Sequence, residues 1–402
     1  MIKFFTHIKF WLPFVIIAVL VLVLELVLRK GWWDSMIEPR SYLGNAVYRV
    51  QALREFGLEK IDWITVGDSR TDWGIEHNEI FEVQHNNGIT HLRMSFESSN
   101  FLAIQETIDW SMAHMPNLKG ILIGIAEENL AHLNDVTKQF NVAWPFRDYM
   151  DEEHYTYYIG KKTRLKWIFQ NAVVVYFKDL RNFIKDHSNR LKSIRNYRKK
   201  KYKNIFMFNR NVPTNVCALS LDSLQQCTKQ AAILKEKTIR LNGAERFVKL
   251  VCGSDYSKYR AKNTIGMPFI DPQIQKANQK NWHYLFEKIL DKGLELHVVV
   301  LPEHHLFDYA VKPKGADSLM NDLIKQFSPR DHFTVLDLRD ELKKTNKECH
   351  YFSDPLHYNN KGKKLITRRI IERLAPDRKK QQNKSQTPKV DKITRLTFEL
   401  EL

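Results

Sequence analysis

Ile61-Asp62-Trp63-Ile64-Thr65-Val66-Gly67-Asp68-Ser69 is the stretch on which the reading of the whole chain turns. A mainly apolar run with β-branched and aromatic residues ends in a glycine, then an acid and a hydroxyl. A short apolar run stopped by a turn residue is the pattern of a strand buried on both faces. A strand end followed by glycine is also how a parallel sheet lifts a side chain clear of its edge. The stretch predicts a buried strand that presents Ser69.

Downstream, strand and helix patterns alternate. A helix-like stretch from about Ile75 to Val83 precedes the Asn87-Gly88 turn and a second strand, Ile89 to Met94. From Phe101, apolar residues recur at Ile104, Ile108, Met112 and Met115, the spacing of a core-facing helical stripe. Pro116 ends it, and Gly120 to Ile125 reads as a third buried strand. The pattern lapses between about Ala126 and Asp271, then resumes with a helix over Gln273 to Leu290 and a strand over Leu294 to Leu301. A helix over Ser318 to Phe327, a fifth strand over Phe333 to Leu338 and a last helix over Lys361 to Leu374 follow, with Asn359 or Asn360 as N-cap. Such alternation implies βαβ units, a parallel sheet and an α/β fold. The expected organisation is an α/β domain over 55–375 with an insertion at about 126–271, and a polar tail over 376–402.

Upstream, Trp11 to Leu28 reads WLPFVIIAVLVLVLELVL, apolar throughout except for Glu25. That length just crosses about 30 Å of hydrocarbon. Pro13 is expected in the first helical turn, where a missing N–H costs nothing, and Glu25 near enough to the far end to reach the interface. Arg29, Lys30, Gly31, Trp32 and Trp33 follow the run and offer no small-residue cleavage site, so residues 1–30 read as an uncleaved transmembrane anchor. Cations flank both ends, so local charge does not orient it.

The 402 residues carry 63 Lys plus Arg against 46 Asp plus Glu, a formal net charge of +17. Such an excess favours polyanionic partners. It concentrates in the insertion, at Lys161, Lys162, Arg164 and Lys166 and again at Arg190, Lys192, Arg195, Arg198, Lys199, Lys200, Lys201 and Lys203, with Tyr197, Tyr202 and Phe206 between. Arg195, Arg198, Lys199, Lys200, Lys201 and Lys203 are the candidate polyanion-binding set; a solvated helical face is the plainer alternative. No nucleic-acid-binding signature accompanies the charge, which argues against nucleic acid. Cys217, Cys227, Cys252 and Cys349 lack zinc-site spacing, and no metal or cofactor is expected. His304 and His305 after the fourth strand read as polar loop residues, and Glu127 and Glu128 as solvated.

Near the C-terminus stands Ser353-Asp354-Pro355-Leu356-His357-Tyr358-Asn359-Asn360-Lys361-Gly362, with Asp and His three apart before the final helix. Loops after the first and fifth strands of a parallel sheet share one edge, so Ser69, His357 and Asp354 could meet as nucleophile, general base and orienting group. Ser69 as a turn cap and Asp354 as an N-cap are the alternatives.

These two blocks, Gly-Asp-Ser after a strand and Asp-x-x-His before a terminal helix, resemble those of the SGNH or GDSL hydrolases, in that family's order. The resemblance covers about 61–125 and 272–375. It implies a flavodoxin-like doubly wound parallel sheet and acyl-ester chemistry: Ser69 attacks a carbonyl, His357 takes its proton, Asp354 fixes the imidazole. Members with one N-terminal anchor look like enzymes that modify cell-envelope polymers. That likeness implies an inner or plasma membrane location with the domain on the periplasmic or extracellular side. It also implies an envelope glycan or anionic lipid, or a membrane acyltransferase, as partner. The family completes its oxyanion hole with a Gly after the second strand and an Asn after the third. Here Leu92 to Asn100 contains no glycine and 124–128 no asparagine; Asn100 or Asn129 could substitute, though neither aligns. Two functions stay open: an envelope esterase or O-acyltransferase, and a catalytically silent scaffold that binds an anionic glycan or a partner acyltransferase.

Overall fold

The computed structural model describes residues 8–97, 99, 101–131, 141–149, 171–199, 229, 232–233, 272–304, 316–343, 348–354 and 357–374. It begins with helix α1 (Ile8–Arg29), whose Trp11–Arg29 part has a mean hydropathy of 2.9 and is exposed along most of its length. At 1.5 Å per residue this part spans about 28 Å, long and apolar enough to cross a membrane. Pro13 does not lie in the first turn as expected, because the helix already starts at Ile8. Its ring therefore removes a helix-interior hydrogen bond.

Helix α2 (Tyr42–Phe56) has no counterpart in the strand–helix pattern of the sequence. Ser41 starts it by accepting the Gly44 N–H at 2.9 Å, and Ala46, Val50 and Leu53 enter the main core. Strand β1 (Trp63–Gly67) follows, then two short helices, α3 (Ser69–Gly74) and α4 (His77–His85), where the sequence suggested one. Next come β2 (His91–Arg93), α5 (Phe101–His114) and β3 (Gly120–Ile125). In the described part of the insertion are α6 (Glu127–Ala131), a 3-10 turn at Trp144–Tyr149, α7 (Ala172–Lys185) and α8 (His187–Arg198). The α/β pattern then resumes with α9 (Pro272–Asp291), β4 (Glu295–Val300), α10 (Ala316–Phe327) and β5 (Phe333–Asp337). A two-stranded antiparallel hairpin, β6 (Phe352–Asp354) and β7 (His357–Tyr358), leads into α11 (Asn360–Leu374).

β1 to β5 form one parallel sheet in the order β2-β1-β3-β4-β5. Alternate residues serve opposite faces. Ile121, Ile123 and Ile125 of β3 join Val298 and Val300 of β4 in a core with α2, α5, α9 and α10. Leu122 and Val299 point to the other face, against Ile80 of α4 and Ile366 and Ile370 of α11. Burial on both faces is why these strands read as continuous apolar runs.

A buried histidine, His91, and a half-buried one, His297, sit on this sheet. His91 Nε2 lies 2.8 Å from Thr65 Oγ1, and the Trp63 ring contacts both His91 and His297. Burial, with His297 nearby, pushes the His91 imidazole down to about 3; burial and Arg373 push His297 down to about 4. Both folded values lie below the ordinary 6.5, so the unfolded chain takes up protons that the folded chain refuses. Stability should therefore fall as pH drops from about 6.5 towards 4, by up to about 1.4 kcal/mol per pH unit per histidine. Burial also lowers the His77 imidazole well below its ordinary value, so His91→Gln should remove about a third of the slope in thermal melts of the full chain in detergent; an unchanged slope would disprove the assignment.

Candidate active site

Ser69 stands at the carboxyl edge of β1, flanked in the sheet by β2 on one side and β3 on the other. Asp68 directly follows the strand and caps α3, its Oδ1 accepting the Arg70 N–H at 2.9 Å, so Ser69 is the first helical residue. Gly67 serves close packing here. A Cβ on Gly67 would come 2.6 Å from Thr71 Cβ and 2.7 Å from the Gly124 carbonyl oxygen. Gly67 and Gly124 are paired across β1 and β3, and Thr71 drops into the space they leave, its Oγ1 donating to Gly124 O at 3.1 Å. Two missing side chains seat α3 directly on the sheet.

His357 arrives from β7. The next residue, Tyr358, is fully buried, donates its hydroxyl to Pro302 O at 2.6 Å and packs its ring against Gly74, where a Cβ would meet it at 2.5 Å. Burial raises the Tyr358 phenol well above its ordinary range, so it remains a neutral donor. Asn359 accepts the Lys361 and Gly362 N–H groups at 2.9 and 3.2 Å and is the N-cap of α11. With the hairpin thus locked to β4 and α3, His357 Nε2 lies 3.0 Å from Ser69 Oγ. The Trp73 ring lies over the imidazole, centroids 4.6 Å apart at 33°. Asp354 opposes His357 in the β6–β7 ladder. Its side chain, and all of Asn100, lie outside the described residues.

Beneath Ser69 is a buried charged cluster that the sequence reading missed. Arg70 is 2% exposed and donates to Asp68 Oδ2 through Nε at 3.1 Å and Nη2 at 2.6 Å. It also reaches Glu303 Oε1 at 2.5 Å and Asn129 Oδ1 at 3.2 Å. Asn129 accepts the Ala126 N–H at 2.7 Å and donates its amide to Asp68 Oδ2 at 3.2 Å. Burial pushes the Asp68 carboxyl up, but the Arg70 charge and the bonds from Arg70 and Asn129 outweigh it and hold the group below its usual value. The signals were present: Arg70 directly follows the motif, and Glu303 follows the proline that stops β4.

A second cluster fixes the far side of α3. Asp72 accepts from Arg49 of α2 at 3.3 Å and Ser95 at 3.1 Å, and pairs with Arg93 of β2 at 3.3 Å. Arg49 also donates to Ser95 O and lies over the Phe96 ring.

Other sequence expectations are corrected. Glu127 is buried, ion-paired with Arg339 at 2.6 Å. His304 is fully buried against Phe352; His305 lies outside the described residues. Arg190 is no surface cation, because Asp179 at 2.7 Å and Glu38 at 3.2 Å hold it inside. Arg195, Arg198 and Lys199 line an open groove of about 500 Å³ against Ser35 and Met36, with Arg198 donating to Ser35 O at 3.0 Å. Lys200, Lys201 and Lys203 lie outside the described residues. Among the described residues no His, Cys, Asp and Glu group could hold a metal ion.

Compared with known protein families and with curated proteins, the chain matches none.

Removing one member of a buried ion cluster leaves the others uncompensated, at a cost of about 3–5 kcal/mol. Arg70→Met should therefore destabilise the chain by about that amount, whereas Ser69→Ala should shift stability by less than about 1 kcal/mol. Thermal melts in detergent separate the two, and a near-neutral Arg70→Met would show that the cluster does not hold the site.

Proposed function

We propose that this chain is a membrane-anchored serine esterase or O-acyltransferase of the SGNH type, acting on a cell-envelope glycan. The observation that carries this reading is the 3.0 Å approach of His357 Nε2 to Ser69 Oγ, made by residues 288 positions apart. Its place supports it as well: ligands of open α/β sheets bind beyond the carboxyl strand ends, where the strand order reverses. The order β2-β1-β3-β4-β5, with its reversal at β1, supports a flavodoxin-like reading of the sheet.

In this reading Ser69 Oγ attacks the ester carbonyl while its proton passes to His357 Nε2. The carbonyl π electrons move onto oxygen, then return to expel the leaving alkoxide, which takes the proton from Nε2. The acyl group then stands on Ser69. Water ends the cycle as an esterase; a sugar hydroxyl ends it as a transferase, and His357 accepts a proton from either. Nε2 accepts only if Nδ1 carries the other proton, and Asp354 is the proposed partner for that N–H. The Trp73 face opposes rotation of the ring and favours the imidazolium that forms. For the oxyanion, the Ser69 N–H, one of the first-turn donors a helix does not use itself, and the second amide hydrogen of Asn129 are the proposed donors.

The anchor keeps such a site near membrane-linked substrates, on the periplasmic or extracellular side in this proposal. A reactive-serine phosphonate probe on the full chain in detergent should label the wild type and lose at least about a hundredfold in rate with Ser69→Ala or His357→Ala. Wild-type protein that stays unlabelled, or Ser69→Ala that labels equally, would favour the silent scaffold.

A further inference from the structure

The helical hairpin α7–α8 is fastened to the exit end of α1. Glu25, four residues before the end of α1, accepts the Ala172 and Val173 N–H groups of α7 at 2.9 Å each. It is the carboxylate cap of that helix, and it also receives Arg29 at 2.7 Å. Leu28 packs with Val175 and Tyr176, and Trp33 Nε1 donates to Asp179 at 3.2 Å. The hairpin also holds the turn after α1: Tyr176 donates to Asp34 at 2.7 Å and Ser193 to Glu38 at 2.9 Å.

The inner face of α7 is thus occupied, and its outer face carries an amphipathic pattern. Val174, Phe177 and Ile184 are 39%, 60% and 79% exposed. Lys178, Arg181 and Lys185 stand beside them on the same exposed side. Apolar side chains flanked by cations along one exposed helix face are what the headgroup layer of an anionic bilayer accepts. The location fits. Ala172 sits at the depth of Glu25, about 6 Å before the last residue of the exposed apolar span. Phe177 follows within about 8 Å along α7. A bilayer around α1 therefore brings its surface to the start of α7.

We propose that α7 is a membrane-surface foot: Val174 and Phe177 of its exposed stripe enter the headgroup region and Lys178, Arg181 and Lys185 meet anionic lipid phosphates. The proposal rests on α1 spanning a bilayer and is independent of the chemistry at Ser69. The direct test places p-benzoylphenylalanine at position 177 of the full chain, reconstituted in phosphatidylcholine vesicles with and without about one third phosphatidylglycerol. Irradiation should give a phospholipid adduct at 177, at least about fivefold more abundant in the anionic vesicles. Lys178→Glu, Arg181→Glu and Lys185→Glu together should bring that yield down to the phosphatidylcholine level while the melting temperature stays within a few degrees. Carbonate extraction runs in parallel. A chain released by carbonate would overturn the spanning of α1 itself. A carbonate-resistant chain without adduct, with adducts only to protein, or with equal yields in both vesicles would overturn the foot.

Discussion

A guanidinium held away from water must find its hydrogen-bond partners within the protein, and Arg70 finds them on three separate segments. Asp68 stands just past β1, Asn129 just past β3 and Glu303 just past β4, so one side chain fastens the carboxyl ends of three strands to the helix that begins at Ser69. The arrangement is stiff for a simple reason. Any shift of a strand end that lengthens one of these bonds leaves charge uncompensated in a medium that cannot solvate it. Ser69 inherits that rigidity, being the residue between Asp68 and Arg70.

Against this frame, His357 is fixed by contacts of a different kind. Tyr358 supplies a hydroxyl bond to Pro302 O and a ring that fits only because Gly74 has no side chain. The Ser69 hydroxyl and the His357 imidazole therefore refer to the same two bodies, helix α3 and the end of β4, reached from opposite ends of the chain. The 3.0 Å approach results from two separately anchored placements.

How much of this is written locally in the sequence differs by element. β3 is read at its observed bounds, because a strand buried on both faces leaves an unbroken apolar run. Ser69 is legible for the same reason, as the residue just past the edge of such a run, whereas His357 is legible only through its Asp-x-x-His spacing before the last helix. α3 is not legible: Ser-Arg-Thr-Asp-Trp-Gly has no apolar stripe, and its helix depends on the Asp68 cap and on Thr71 filling the gap above Gly67 and Gly124. α2 escapes because Arg49, buried against Asp72, interrupts its apolar positions. Glu127 and Arg190 look solvated in sequence because their partners are distant or indistinguishable from surface charge: Arg339 lies 212 residues from Glu127, and Glu38 and Asp179 do not announce themselves as core. Composition counts charges, whereas burial depends on which ones meet.

The cap that Glu25 places on α7 bears on motion. A catalytic head on a loose tether samples a hemisphere, and its reach grows with tether length. Here the chain between the span and the first core helix is only Lys30 to Ser41, and much of it is gripped by the α7–α8 hairpin through Asp34, Met36 and Glu38. With α1 in a bilayer, Ser69 keeps a nearly constant altitude and tilt. If Ser69 acts as proposed, its search for partners becomes planar, governed by lateral diffusion of the whole molecule, and a target bond must be displayed at that one height to be met.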